Sequence, residues 1–415
     1  ILAGQTSGSL EINGLEDNLN SPGEEEDETI ELSFFTPINA SLTEGNELEG
    51  ISLTLLNNEI TLTEDIEALA NVPPLSSSSV AWGDFDRDGD QDMAIMGVGL
   101  EEGVVTRLYE NVEGIFTDTN QSAFDPRYEG DLIWVDFNKD GYIDLIVSGL
   151  DANNEPSTSI YENINGDFAE STELSLPNLF QTSMDSGDLD NDGDIDFVIN
   201  GIQIENGINV WKKYIYLREG SELVLEEDFN DQFREEGVVN GKVKIADSNF
   251  DGDLDVFMIG KNNSKIQNNT YVKMQIPENW DYWQYQDFLN NSNYIRNLDN
   301  SSIAFFGNYM YYMGKTDDNQ SSTNSIKIYR KALNNSFNYY NYDEELSSVE
   351  GLINGSIAIA DYNNDGMIDL IVTGENENAE SVTKLYDGTK QFNQENGFVE
   401  NTEISLKGLR NSTAK

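Results

Sequence analysis

The stretch DFDRDGDQD at residues 84–92 sets five aspartates within nine residues, and four relatives of it recur along the chain. Written by position, the shared pattern is D-x-[DN]-x-D-G-x-x-D. Side-chain oxygens at positions 1, 3, 5 and 9 and a backbone carbonyl from position 7 can wrap one hard cation that takes six to eight oxygens. Those positions are Asp84, Asp86, Asp88, Asp90 and Asp92 in the first loop, and Asp136, Asn138, Asp140, Tyr142 and Asp144 in the second. They are Asp188, Asp190, Asp192, Asp194 and Asp196 in the third, and Asp247, Asn249, Asp251, Asp253 and Asp255 in the fourth. In the fifth they are Asp361, Asn363, Asp365, Met367 and Asp369. Glycine at position 6 (Gly89, Gly141, Gly193, Gly252, Gly366) permits the sharp turn that brings both ends to one ion.

The ion that suits this donor set is calcium. Magnesium keeps waters and a strict octahedron, and zinc and copper favour nitrogen or sulfur ligands. An EF-hand or dockerin loop would need an acidic ligand at position 12. Here position 12 is Ile95, Val147, Ile199, Met258 or Val372, so those readings fail. A lone copy would be an ordinary solvated turn; five copies in one context favour metal binding. The five loops hold 20 aspartates, and unit charges about 4 Å apart repel by about 1 kcal/mol even in bulk water. Five divalent ions would bring the formal charge from −54 to −44.

The loops must be held by repeated elements. Their first residues are separated by 52, 52, 59 and 114 positions. The last spacing is about two periods, and near residue 304 the sequence SSIAFFGNYMYYMGK keeps the apolar flanks without the acidic insert. There the hairpin closes through Gly307 and Asn308, so the loop elaborates a hairpin that can pair without it. Each loop lies between short runs rich in Ile, Val, Ala and Leu, which read as buried strands. A second strand pair follows, with turn chemistry in steps such as ENING and DG. Four antiparallel strands in 52 to 60 residues make the unit of a radial repeat.

The expected fold is all-β: a β-propeller of four-stranded antiparallel blades, seven in number with six as the alternative. Inner hairpins are expected near 80–97, 132–149, 184–201, 243–260, 302–314 and 357–374. Residues 51–79 read as the outer half of a preceding unit. A seventh hairpin beyond Lys415, or the segment 28–42, would supply the missing strands, and the propeller (28–415) is expected to continue past residue 415. Residues 1–27, with EEEDE among Gly, Asn and Ser, read as an acidic, poorly ordered leader.

These units resemble FG-GAP or VCBS repeats, the calcium-loop blades of integrin α-subunit-type propellers and of many secreted bacterial proteins. The resemblance covers about residues 51–415, although the FG-GAP letters themselves are replaced by WGDFD, WVDFN, SGDLD, IADSN and IADYN. It implies a seven-bladed propeller, structural calcium in the hairpin loops and ligand binding through other loops or appended domains.

Composition narrows the function. With 77 Asp plus Glu against 23 Lys plus Arg, neither nucleic acid nor an anionic membrane surface is an expected partner, and no apolar run is long enough to span a bilayer. The absence of Cys and His removes disulfides, thiolate and histidine metal sites, and the Ser-His-Asp triad. The expectation is therefore a secreted or cell-surface module, non-catalytic, that binds a protein or glycan on the cell exterior. Trp280, Trp283 and Tyr285, in ENWDYWQYQDF, are the candidate ligand-stacking residues, against packing between blades as the alternative. The rivals are a propeller attached to a larger secreted lyase or hydrolase, and a spacer or docking segment of an exported protein.

Overall fold

A computed structural model describes residues 28–32, 51–55, 71–172, 174–220, 222–226, 237–247, 252–261, 298–307, 309–316, 326–332, 344–363, 365–389, 397–402 and 406. Every regular element among them is a β-strand. The first blade holds β3 (Leu75–Gly83), β4 (Asp92–Gly99), β5 (Gly103–Val112) and β6 (Ile115–Asp118). The second holds β7 (Tyr128–Val135), β8 (Asp144–Leu150), β9 (Pro156–Ile164) and β10 (Asp167–Glu170). The third is β11 (Phe180–Gly187), β12 (Asp196–Glu205), β13 (Ile208–Glu219) and β14 (Glu222–Leu225). The fourth repeat contributes the hairpin β15 (Val239–Ala246) and β16 (Asp255–Lys261). Next come β17 (Leu298–Phe306), β18 (Tyr309–Thr316), β19 (Ile326–Ala332) and β20 (Glu344–Glu345). The last blade is β21 (Ile353–Ala360), β22 (Asp369–Glu375), β23 (Ser381–Gly388) and β24 (Phe398–Glu400).

Within each blade the strands pair antiparallel in chain order, and the first strands pack in succession, β3 on β7, β7 on β11, β11 on β15, β15 on β17 and β17 on β21. This is a β-propeller. Its count corrects the expectation of seven or six blades: among the described residues there are five complete four-stranded blades and two two-stranded sheets, the hairpin β15–β16 and a pair near the start of the chain. The fourth repeat is short of strands because residues 262–297, which follow β16, lie outside the described set. Near the start, β1 (Glu28–Leu32) pairs antiparallel with β2 (Ile51–Leu55) in a two-stranded sheet of its own.

The burial pattern explains the sequence pattern. Blades pack face to face, so a central strand is covered on both sides and reads as an uninterrupted apolar run; all seven residues of β8 are buried. Phe85, Leu132, Tyr161 and Phe168 share one core cluster that joins the first two blades, and Phe137, Leu179, Met184 and Phe197 share the next. The outer hairpins close through turns whose two central residues are both left-handed: Glu113 (φ 52) with Gly114 (φ 86), and Asn165 (φ 57) with Gly166 (φ 94). In the fifth repeat Phe306 pairs with Tyr309 around Gly307, so that hairpin does form without an acidic loop.

The inner strands start several residues earlier than the apolar runs suggest, because each contains a bulge. The register slips between Ser76 and Ser79, Tyr128 and Asp131, Phe180 and Ser183, Val239 and Lys242, Asp299 and Ser302, and Ile353 and Ser356. At Gly130 and Gly355 a Cβ would lie 1.8 Å and 1.7 Å from the carbonyl oxygens of Ser148 and Thr373, so only glycine fits. In five of the six the residue closing the bulge is buried: Ser79, Asp131, Ser183, Ser302 and Ser356. Four of these side chains cross to the next blade. Ser79 Oγ donates to Asp131 Oδ1 at 2.7 Å, and Met184 N–H donates to Asp131 Oδ2 at 3.1 Å. Val243 N–H donates to Ser183 Oγ at 3.0 Å and Ile357 N–H to Ser302 Oγ at 3.1 Å. A polar stitch at one repeat position thus fastens neighbouring inner strands.

Candidate cation-binding loops

Each acidic loop joins the first two strands of its repeat, and its conformation follows from short side chains that hydrogen-bond nearby backbone amides. In all five loops the position-1 carboxylate accepts the N–H of the position-6 glycine, at 2.9 to 3.1 Å. The position-3 side chain accepts the N–H of position 5, as in Asp86 with Asp88 at 3.2 Å and Asn138 with Asp140 at 2.9 Å. The position-5 carboxylate accepts the N–H of position 7, as in Asp88 with Asp90 at 2.9 Å and Asp192 with Asp194 at 2.7 Å. Gly89, Gly141, Gly193, Gly252 and Gly366 all have φ between 76° and 100°, and Gly89, Gly193 and Gly252 have nothing within 4 Å of a notional Cβ. Glycine is required there by backbone conformation and not by space.

The result is convergence. One oxygen each from Asp84, Asp86 and Asp88 lies within 4.8 Å of the others, and so it is for Asp188, Asp190 and Asp196. The second and fifth loops present an amide, Asn138 or Asn363, at position 3 and carry three aspartates each. In the fourth, Asp247, Asp253 and Asp255 are described, whereas Asn249 and Asp251 lie outside the described residues. Trp280, Trp283 and Tyr285 also lie outside them. The donors fit a hard divalent cation on two grounds: all are oxygens, and Oδ1 of Asp136 and of Asp188 is buried without a hydrogen-bond partner.

Position 9 has a second task that spacing alone did not reveal. Asp92 is wholly buried, and its two oxygens accept the N–H of Phe85 at 3.0 Å and of Asn111 at 2.9 Å. Asp144 accepts from Phe137 (3.0 Å) and Asn163 (2.7 Å), Asp196 from Leu189 (2.6 Å) and Arg218 (2.8 Å), and Asp369 from Tyr362 (3.1 Å) and Gly388 (2.9 Å). This carboxylate therefore staples the loop to the third strand of its blade. Burial pushes Asp92, Asp144 and Asp196 up to about 6 and Asp369 up to about 7; the amide hydrogen bonds oppose the rise and neighbouring loop carboxylates add to it. Position 2 is also committed: Phe85, Phe137 and Leu189 are buried in the cores between blades.

Position 7 divides by copy. Asp90 is exposed, whereas Asp194 is buried, with Lys139 of the preceding loop as its ion-pair partner and Gly220 N–H donating to it at 3.2 Å. The Tyr142 hydroxyl donates to Asn165 at 2.7 Å. The first two loops are also gripped from the following blade: Asn163 donates to Phe85 O at 2.8 Å, and the Arg218 guanidinium stacks 4.3 Å over the Phe137 ring.

The loops repeat one geometry at one place in every blade that carries them, and the comparison with known families agrees. Residues 136–199 match the FG-GAP-like repeat family. The match runs from position 1 of the second loop to position 12 of the third, one full period together with the whole of the third loop. Together with the blade arrangement it supports an FG-GAP repeat propeller. No curated protein matches the chain. Solved structures similar to it include a thermostable family-43 glycoside hydrolase at 9% identity, covering 84% of this chain and 99% of that one with a TM-score of 0.37. An endo-1,4-beta-xylanase from Bacteroides thetaiotaomicron is similar at 9% identity, covering 83% and 98% with a TM-score of 0.35. A fungal six-bladed β-propeller lectin, Aleuria aurantia lectin, is similar at 8% identity, covering 79% and 95% with a TM-score of 0.38. At these scores no activity is transferred to this chain.

Proposed function

We propose that this chain is a secreted or cell-surface binding module, a propeller of the integrin-like, bacterial secreted kind whose blades are stabilised by calcium and whose surface takes a protein or glycan ligand. The observation that carries the reading is the recurrence of one oxygen-only loop geometry in register, with position-1 carboxylate oxygens buried and unpaired in two copies. Bound calcium would supply the positive charge that such a set of carboxylates lacks. The residues that would hold it are those at positions 1, 3, 5 and 9, with the carbonyls of Asp90, Tyr142, Asp194, Asp253 and Met367. The chain's own part is to hold those oxygens in place through the turns within each loop, while the position-2 side chains anchor the loop between blades. Calcium is then structural, and the acidic, calcium-loaded surface suits an ion-rich exterior.

The binding half of the proposal rests on the aromatic segment, where Trp280, Trp283 and Tyr285 offer apolar faces for a sugar ring or a partner side chain. The test is retention of the calcium-loaded chain on arrays of glycans and of extracellular matrix proteins. Wild type is expected to bind a defined subset, and Trp280→Ala with Trp283→Ala to lose at least about tenfold in affinity, as hot-spot aromatics do. Equal binding by the double variant would remove the aromatic segment from the ligand site.

A further inference from the structure

Three contacts between successive loops occur at the same two positions. Arg87, position 4 of the first loop, lies 5.0 Å over the ring of Tyr142, position 7 of the second. Lys139, position 4 of the second, pairs with Asp194, position 7 of the third. Asn191, position 4 of the third, donates to Asp253, position 7 of the fourth. A cation–π contact, an ion pair and an amide-to-carboxylate hydrogen bond are different chemistries in one geometry. The three position-4 residues also share a left-handed backbone, with φ of 68°, 59° and 60°.

We propose that the position-4 side chains are positioning residues that couple cation binding along the line of loops one to four, while the fifth loop binds independently. The proposal rests on the calcium reading above. Position 4 sits between two ligand positions, 3 and 5, so fixing it orders both. Position 7 offers its carbonyl to the cation, and its N–H is held by the position-5 carboxylate of its own loop, at 2.8 Å for Tyr142 and 2.7 Å for Asp194. A filled loop therefore fixes its position 7, which fixes position 4 of the loop before it. The ordering cost of the second cation is partly met by the first, which is positive cooperativity. The fifth repeat has no acidic loop, so the line stops between loops four and five.

Simple electrostatics makes the opposite prediction for Lys139. As a bare cation beside acidic loops it would weaken calcium binding, and its removal would tighten it. As a link, its removal loosens the sites it joins. The experiment is a calcium titration of the chelator-stripped full chain by isothermal titration calorimetry, for wild type, Lys139→Met, Lys139→Arg, Asp194→Asn and the Lys139→Met/Asp194→Asn pair. Lys139 has its side chain half exposed, and Arg87→Met, at an exposed position, gives the same test at the first link should Lys139→Met fold poorly. Wild type is expected to show a steep phase and a separate independent site. Lys139→Met cuts the middle link alone, so it should keep the same stoichiometry while its steep phase broadens, the Hill coefficient falls from the four-site value to that of two separate pairs and half-saturation moves to about fivefold higher calcium, a modest inter-site coupling. Lys139→Arg should restore the steepness, and the double variant should be no worse than either single one. Unchanged or tightened binding in Lys139→Met, with wild-type steepness, would overturn the coupling and leave the calcium reading standing. No calcium binding by wild type would overturn both.

Discussion

Asp92→Asn is expected to lower the melting temperature in excess chelator as well as in calcium, whereas Asp88→Asn should lower it only in calcium. The two aspartates look alike in sequence and differ in what surrounds them. Asp88 is exposed, and its hydrogen bond to Asp90 N–H needs one oxygen, which asparagine retains. Asp92 is wholly buried and uses both oxygens, one for Phe85 N–H and one for Asn111 N–H. Asparagine keeps one acceptor and turns an NH2 towards the other donor, leaving a buried amide unsatisfied at a cost of about 1–3 kcal/mol. The same asymmetry should appear for Asp144 against Asp140 and Asp196 against Asp192. Thermal melts of the variants with and without chelator read it directly, and equal calcium dependence of the two losses would show that position 9 is a ligand and nothing more.

Asp131→Leu should cost about 2–4 kcal/mol, because it removes a buried acceptor used from both neighbouring blades, by Ser79 Oγ–H on one side and Met184 N–H on the other. Asp131 is 3% exposed and sits at the bulge of the second inner strand, where it joins three blades. Asp131→Ser should recover much of that loss, since Ser183 and Ser302 accept the equivalent amide from their following blades. Chemical denaturation of the two variants measures the difference. A loss below about 0.5 kcal/mol for leucine, the range of ordinary surface changes, would mean that the stitch contributes little.

The blade repeat and the loops were legible in the sequence because both depend on local chemistry. Gly89 and its counterparts mark a left-handed turn, aspartates at alternate positions mark the turns within the loop, and runs such as LIVSG mark a strand covered on both faces. The loop-free hairpin at Phe306 and Tyr309 was legible for the same reason. What escaped depends on contacts made one period away. Ser183 and Ser302 look like unremarkable small polar residues until the next blade places an amide against them. The bulges did leave a trace in EGD, NGK and NGS at residues 129–131, 240–242 and 354–356, where a glycine precedes the apolar run by one or two residues. Asp92 reads as a ligand by spacing, and only the third strand of its blade shows that it is also a staple. Lys139 and Asp194 lie 55 residues apart, a separation fixed by the repeat geometry and by nothing in either loop alone. Blade number escaped as well, because strand counting from hairpin signals assigns each repeat a full blade, while the fourth repeat shows only β15 and β16 among the described residues.

On the reading proposed above, the five loops are calcium cages that hold the propeller together. Its most direct test is the calcium content of the purified full chain, measured by atomic emission after equilibration in millimolar calcium and again after exhaustive chelation, with a thermal melt at each stage. The loop geometry predicts about five calcium ions per chain in the first sample and a clear fall in melting temperature in the second, as ligand loss requires. A chain that retains no calcium, and melts at the same temperature with and without chelator, would contradict it.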